Sequence, residues 1–382
     1  LPVEQHHLRN GNMNPYSSLD AKYFWAPSVG KREPLEIERL WTPKRNVTKR
    51  HKISTYGSCF AQYFGKALVA RGYKWMQYEQ PPEELSKENA LHFNYGVFTT
   101  RTANIYTASL LQQWVEWSLG VSTPPSEVWE KEGRFYDPFR PMIEPNGFES
   151  EEEVYFSREK TLDAFRQSFE DANIFVFTLG LTESWKNSEG YEYPMCPGTA
   201  GGSFNANKHH FHNQSFREIR ASLLRATNLM LNVNPKLRFL LTVSPVPLTA
   251  TMSGNHVLTA TVESKSILRT VAGDLATTKP QKYDYFPSYE IISSTPFQGM
   301  FYNDNKRTVK QEGVDFVMNS FFKCIDEHFG NVKSSLANKI DTQAEQASSS
   351  VLESNDSDPV CEEELLAAFG PNAEKNRLDI AS

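Results

Sequence analysis

The 382-residue sequence predicts an α/β protein whose strands form one parallel sheet flanked by helices. Three observations carry that prediction. The stretch from His51 to Gly72 reads as a short strand, a Gly-Ser-Cys turn and a helix. Arg158 to Leu179 reads as a helix entering a buried strand that stops at Gly180. Ser215 to Ala276 repeats the pattern as helix, strand and helix. The length fits one large domain, and no internal repeat is visible.

Taken in order, residues 1–50 are rich in Pro, Trp and charge with little periodicity, which predicts an extended arm pinned on the domain by Trp25 and Trp41. The domain proper is expected over 51–330. After the first strand and helix, the prolines in Tyr78–Glu84 break the pattern. Thr107–Trp117 then reads as an amphipathic helix with Leu111, Trp114 and Val115 toward the core. Gly133–Pro141 is a loop by its prolines, and Arg158–Glu170 is a helix leading into the strand Asn173–Leu179. Ser215–Leu231 (helix), Leu237–Val243 (strand) and Ser264–Ala276 (helix) follow. The last unit runs through Tyr283–Glu290 into a helix from Glu312 to Phe329. Residues 331–382 turn polar and acidic and read as a disordered tail. Within it, Glu362–Phe369 has the pattern of a short amphipathic helix, either idle or docking on a partner.

The turn at Gly57-Ser58-Cys59 is the most informative point in the chain. Its small residues leave backbone N–H groups at the helix start open to a substrate oxygen. The positive end of the helix dipole faces the same place, so the outline is that of an oxyanion hole. The string Gly57-Ser58-Cys59-Phe60-Ala61 resembles the signature of the GSCFA family, bacterial proteins placed near the SGNH/GDSL hydrolases. Further segments carry the resemblance in order from Asn14 to Phe322: Asn14-Pro-Tyr, Asn104-Ile-Tyr-Thr, Asp137-Pro-Phe-Arg-Pro, Thr178-Leu-Gly-Leu-Thr-Glu-Ser-Trp, Leu241-Thr-Val-Ser-Pro-Val-Pro, Ser264-Lys265 and Phe286-Pro-Ser-Tyr-Glu.

The resemblance implies an SGNH hydrolase-like, three-layer α/β/α fold with a flavodoxin-like parallel sheet. In SGNH hydrolases a Gly-Asp-Ser turn supplies the nucleophile, and a later Gly-x-Asn-Asp turn supplies an oxyanion donor. Here Gly57-Ser58-Cys59 overlays the first and Gly180-Leu-Thr182-Glu183 the second, so Cys59 holds the nucleophile position, Ser58 that of the Asp, and Thr182 that of the donor Asn. A thiol at a helix N-terminus is easily ionised, whereas a serine needs a neighbouring base, and both remain candidates. SGNH enzymes also carry a late Asp-x-x-His, matched here by Asp304-Asn-Lys-Arg307, and an arginine cannot act as a general base at neutral pH. His256, in the loop after the Leu237–Val243 strand, is the favoured substitute, with His209, His210 and His212 as rivals.

Other candidates divide between chemistry and structure. The N–H groups of Cys59 and Phe60, with Asn104 or Thr182, would hold an oxyanion. Asn104 serves equally to close a turn, and Thr182 and Glu183 to cap a helix. Arg140 would bind a substrate carboxylate or, as favoured, pair with Asp137. Glu290 would orient a histidine, bind a substrate hydroxyl or close a turn. The His209-His210-Phe-His212 spacing invites a metal, but no carboxylate is placed to orient the ligands, and neither metal nor cofactor is expected.

Composition narrows the partners. Residues 331–382 hold ten acidic and four basic residues, net −6, and the whole chain is also −6, so residues 1–330 sum to zero. A neutral body without basic runs interleaved with aromatics excludes a nucleic-acid backbone as partner. The four scattered cysteines indicate neither a zinc site nor a disulfide framework and fit a cytoplasmic protein. No apolar run is long enough for a membrane span. The 13% aromatic content predicts a broad core or an aromatic-lined cleft suited to sugars. The expected activity is hydrolysis of acyl esters through an acyl-enzyme, on O-acyl groups of sugars or polysaccharide. The alternatives are a polysaccharide O-acyltransferase and a silent carbohydrate-binding or assembly protein. A partner for the acidic tail is not identified by the sequence.

Overall fold

Strand β1 (Lys52–Gly57) and helix α1 (Phe60–Ala70) form the first unit of the computed structural model, which describes residues 14–330 and 359–370. The chain continues through β2 (Lys74–Trp75), α2 (Lys87–His92) and α3 (Ala108–Ser118). A short hairpin follows, β3 (Trp129–Lys131) and β4 (Arg134–Tyr136), and then the long α4 (Glu151–Glu170). Next come β5 (Ile174–Leu179), the small strands β6 (Glu183–Asn187), β7 (Glu192–Tyr193) and β8 (His209–Asn213), α5 (Phe216–Val233) and β9 (Arg238–Val243). The domain closes with α6 (Val257–Thr278), β10 (Tyr283–Tyr285), α7 (Ser288–Ser293) and α8 (Gln311–Phe329).

Five of these strands make the expected parallel sheet, in the order β2-β1-β5-β9-β10. Renumbered within the sheet this is 2-1-3-4-5, the doubly wound order whose direction reverses between β1 and β5. Alternation along β5 and β9 sorts the core into two layers. Phe175, Phe177, Leu179, Phe239, Leu241 and Val243 face α3 to α6, while Ile174, Val176 and Leu240 face α1, α7 and α8. The predicted helices hold with earlier starts: α4 begins at Glu151 behind the Ser150 cap, and α6 at Val257. Helix α5 begins with a Ser215–Glu218 capping box.

Two expectations need correction, on Trp25 and on the C-terminal segment. Trp41 does pin the arm, stacking on Phe321 at 5.2 Å, but Trp25 is 69% exposed and anchors nothing in the core. The aromatic richness goes into the core, where Trp114, Phe139, Phe165 and Phe175 are fully buried. Residues 359–370 do not behave as a disordered tail: Glu362–Phe369 forms a 3-10 helix that packs back on the domain, with Glu362 only 2% exposed. Their burial satisfies polar groups at the sheet edge, a gain that composition alone does not reveal. The remainder of the expected tail, and residues 1–13 of the arm, lie outside the described residues. No helix among the described residues is long and apolar enough to cross a membrane.

Candidate active site

The carboxyl ends of β1 and β5 meet where the strand order reverses, the place at which open α/β sheets bind ligands. Gly57 pairs with Thr178 there, and its φ of +128° suits only glycine; a Cβ would sit 2.2 Å from the Thr178 carbonyl oxygen. That oxygen accepts the Ser58 N–H at 3.1 Å, which fixes the turn. The next amide with a backbone acceptor is Ala61, bonded to the Ser58 carbonyl, so the Cys59 and Phe60 N–H groups open the helix without backbone partners among the described residues.

Ser58 and Cys59 are both buried, but they face different neighbours. Ser58 Cβ lies against Gly180, where an added Cβ would approach it to 3.1 Å, and the Ser58 hydroxyl has no hydrogen-bond partner among the described residues. Cys59 meets Cys361 of the C-terminal segment. Its thiol pKa is raised well above the usual value by the hydrogen bond to Cys361, by burial and by the Glu363 charge, while Arg307 acts the other way. Both thiols are free.

Two side-chain amides converge beside this pair. Gln62, on the first turn of α1, and Asn104, on the loop before α3, are 3% and 1% exposed. Gln62 Nε2 donates to Asn104 Oδ1 at 3.2 Å, which orients both groups. Both then donate to a single acceptor, the Val360 carbonyl oxygen, at 2.8 Å from Gln62 and 2.7 Å from Asn104. Asn104 Nδ2 also donates to the Glu362 carboxylate, as does the Tyr106 hydroxyl at 2.7 Å.

Lys265, on α6, is fully buried and donates from Nζ to the Gly180 carbonyl oxygen at 2.7 Å. Burial lowers its pKa to about 8, partly opposed by the Glu363 and Cys59 charges. Its neighbour Ser264 accepts from the Thr182 N–H at 3.2 Å and from the Thr182 hydroxyl at 3.1 Å. Arg307 stands at the arginine that replaces the expected histidine, and it pairs with Glu363 at 3.4 Å and Glu364 at 3.0 Å.

Gly57, Ser58, Cys59, Phe60, Asn104, Gly180 and Thr182 thus gather around the two strand ends, and Glu183 begins β6 just beyond them. Thr182 spends its N–H and hydroxyl on Ser264. Glu183 accepts from the Thr251 hydroxyl and the Met252 N–H, and burial raises its pKa.

The remaining candidates are engaged elsewhere. His256 is exposed and caps α6, its Nδ1 accepting the Leu258 N–H at 3.2 Å, and no hydrogen bond joins it to Ser58 or Cys59 among the described residues. His209 accepts the Asn205 N–H, and His212 pairs with Glu218; with His210 they lie on β8. No cluster fit for a metal is found among the described residues. Arg140 is fully buried against Asp137 at 2.9 Å, the internal pairing that was favoured, with Arg158 on the same carboxylate. Glu290 pairs with Arg269 and accepts the Tyr285 hydroxyl.

Sequence reasoning passed over Gln62, Lys265 and Val360–Cys361, and it read Glu362–Phe369 only as an idle or partner-docking helix. Gln62 and Lys265 stand inside motif segments, but their roles rest on burial, which only the fold decides. The GSCFA family model matches residues 52–321, the span from β1 into α8. No curated protein and no solved structure matches the chain.

Proposed function

The chain belongs to the GSCFA family, and from that premise we propose that it is an SGNH-like acyl-transfer enzyme, hydrolysing acyl esters through a covalent intermediate on Cys59. The proposed substrate class is the O-acyl groups of sugars or polysaccharide. The observation that carries the reading is the convergence of Gln62 and Asn104 on one carbonyl oxygen beside Cys59. Two fixed donors on one oxygen, with the open N–H groups at the start of α1, form a binding place for a carbonyl that becomes an oxyanion.

The exchange of residues relative to a serine hydrolase is chemically consistent. A hydroxyl nucleophile needs a base, whereas a thiol needs only a cation that favours its ionised form. Cys59 in place of serine and Arg307 in place of histidine make that paired change. Ionised Cys59 attacks the carbonyl carbon, the ester C–O bond breaks, and the leaving alkoxide takes a proton from the Lys265 ammonium. Neutral Lys265 then takes a proton from water as it attacks the thioester, and the Cys59 thiolate leaves. A sugar hydroxyl in place of that water gives an O-acyltransferase.

The test is turnover of p-nitrophenyl acetate and butyrate by the full chain, with Cys59→Ala, Ser58→Ala and Lys265→Met beside it. Loss on the order of a hundredfold in Cys59→Ala, with an acetyl group found on Cys59 in the wild type, is expected. No turnover by wild type or by Val360→Pro, which loosens the segment over Cys59, overturns the reading. That result would favour the silent binding protein, which draws support from the lack of any histidine hydrogen-bonded to Ser58 or Cys59 among the described residues.

A further inference from the structure

We propose that the cleft over Cys59 is a recognition site for an acidic peptide segment, and that the chain's own Val360–Glu364 occupies it as a pseudosubstrate that keeps the nucleophile covered. The Val360 backbone and the side chains of Cys361 to Glu364 each meet a group of the site, while Glu362 Oε1 is buried without a partner among the described residues. Gln62 holds both backbone polar groups of Val360, donating to its carbonyl and accepting its N–H at 3.0 Å, as a neighbouring strand would. The Val360 carbonyl lies in the Gln62–Asn104 donor pair, where the substrate carbonyl belongs in the reading above.

The Cys361 thiol lies against Cys59, and the Tyr106 hydroxyl donates to the buried Glu362 carboxylate. Glu363 accepts the Thr249 N–H at 2.7 Å and pairs with Arg307, which also holds Glu364. Glu363 is 7% exposed, so its pairing with Arg307 is a largely desolvated one, and losing either partner would leave a charge stranded. Burial opposes a carboxylate's charge, as the raised Glu362 pKa shows, so seating Glu362 and Glu363 in succession depends on partners the site supplies: Asn104 and Tyr106 for Glu362, Thr249 and Arg307 for Glu363.

The seating also silences the thiol chemically. The Cys361 hydrogen bond and the Glu363 charge, both supplied by the segment, disfavour the thiolate, and burial acts in the same direction. Departure of the segment leaves Arg307 and the α1 N-terminus facing Cys59, which favours ionisation. The seating stands on contacts alone; its regulatory meaning rests on the acyl-transfer reading.

The experiment uses the full chain. Alkylation of Cys59 by N-ethylmaleimide, followed by peptide mass spectrometry, is compared between wild type and Val360→Pro. That substitution removes the N–H bonded to Gln62 without changing any charge near the thiol. Labelling at least tenfold faster in Val360→Pro, suppressed again by a synthetic peptide of residues 358–370, is expected. Equal labelling rates overturn the proposal. A second measurement needs no variant: a Glu-specific protease should cut after Glu362 to Glu364 at least tenfold more slowly in the chain than in that peptide, and equal rates again overturn it. Faster labelling without ester turnover in Val360→Pro keeps the peptide site and removes the acyl-transfer reading. Turnover with labelling unchanged between the two proteins does the reverse.

Discussion

Lys265 shows how one buried residue carries both a cost and a use. Its folded pKa is lowered to about 8 from an ordinary 10.5. A depressed lysine pKa means the folded state opposes the charge, so the lysine's penalty is full below about 8 and disappears as pH rises toward the unfolded value. At pH 7 the shift corresponds to about 3 kcal/mol of destabilisation. Lys265→Met is therefore expected to raise the midpoint of urea unfolding at pH 7, with the advantage shrinking by pH 10. An advantage that stays constant with pH would show that the lysine is not desolvated as described. The same variant should lose turnover, since a thioether transfers no proton. His256→Ala is expected to keep turnover within about twofold, because an exposed helix cap is replaceable; a hundredfold loss would restore histidine as the base. Asn104→Leu and Gln62→Leu should each cost on the order of a hundredfold in kcat, the effect of removing one oxyanion donor, measured in the Val360→Pro background.

At the scale of elements, the turn between β1 and α1 depends on a glycine for a reason that can be measured. Gly57→Ala drives a methyl into the Thr178 backbone at a φ that other residues avoid, and a loss of about 3 kcal/mol or more in chemical denaturation is expected. Ser215→Ala breaks the α5 capping box and should cost only about 1 kcal/mol, so the pair separates a steric demand from a cap. The long helices were legible because their apolar residues repeat near 3.6, and β5 and β9 because they are short, continuous apolar runs; α2 and α7, six residues each, were too short to carry a period. Strand β2 was not legible either, since Lys74–Trp75 is too short to carry a period. Nor was the antiparallel set β6 to β8, whose histidine-rich strand His209–Asn213 lacks an apolar alternation that would mark it as a strand. Arg158–Glu170 was read short because Glu151 to Glu153, which favour a helix N-terminus, look from sequence like a polar loop.

For the whole molecule, the sequence made the parallel sheet and the Gly57-Ser58-Cys59 turn legible, since both are written locally. The cover over that turn was not legible. Gln62 and Val360 lie 298 positions apart, and no local pattern announces a contact of that range. Arg307 stood between the two cases: its position replaced an expected histidine, but its carboxylate partners come from beyond residue 358.

Because the covering segment belongs to the same chain, its return to the cleft is a first-order event that dilution cannot slow. A tethered occupant is present at an effective concentration on the order of millimolar, whatever the abundance of the protein. A free ligand of equal intrinsic affinity would have to reach that concentration to hold half the sites. The cleft therefore acts as a threshold filter: weak or scarce acyl esters meet a closed door, and only a ligand that binds more tightly than Val360–Glu364, or an event that draws the acidic segment away, opens it.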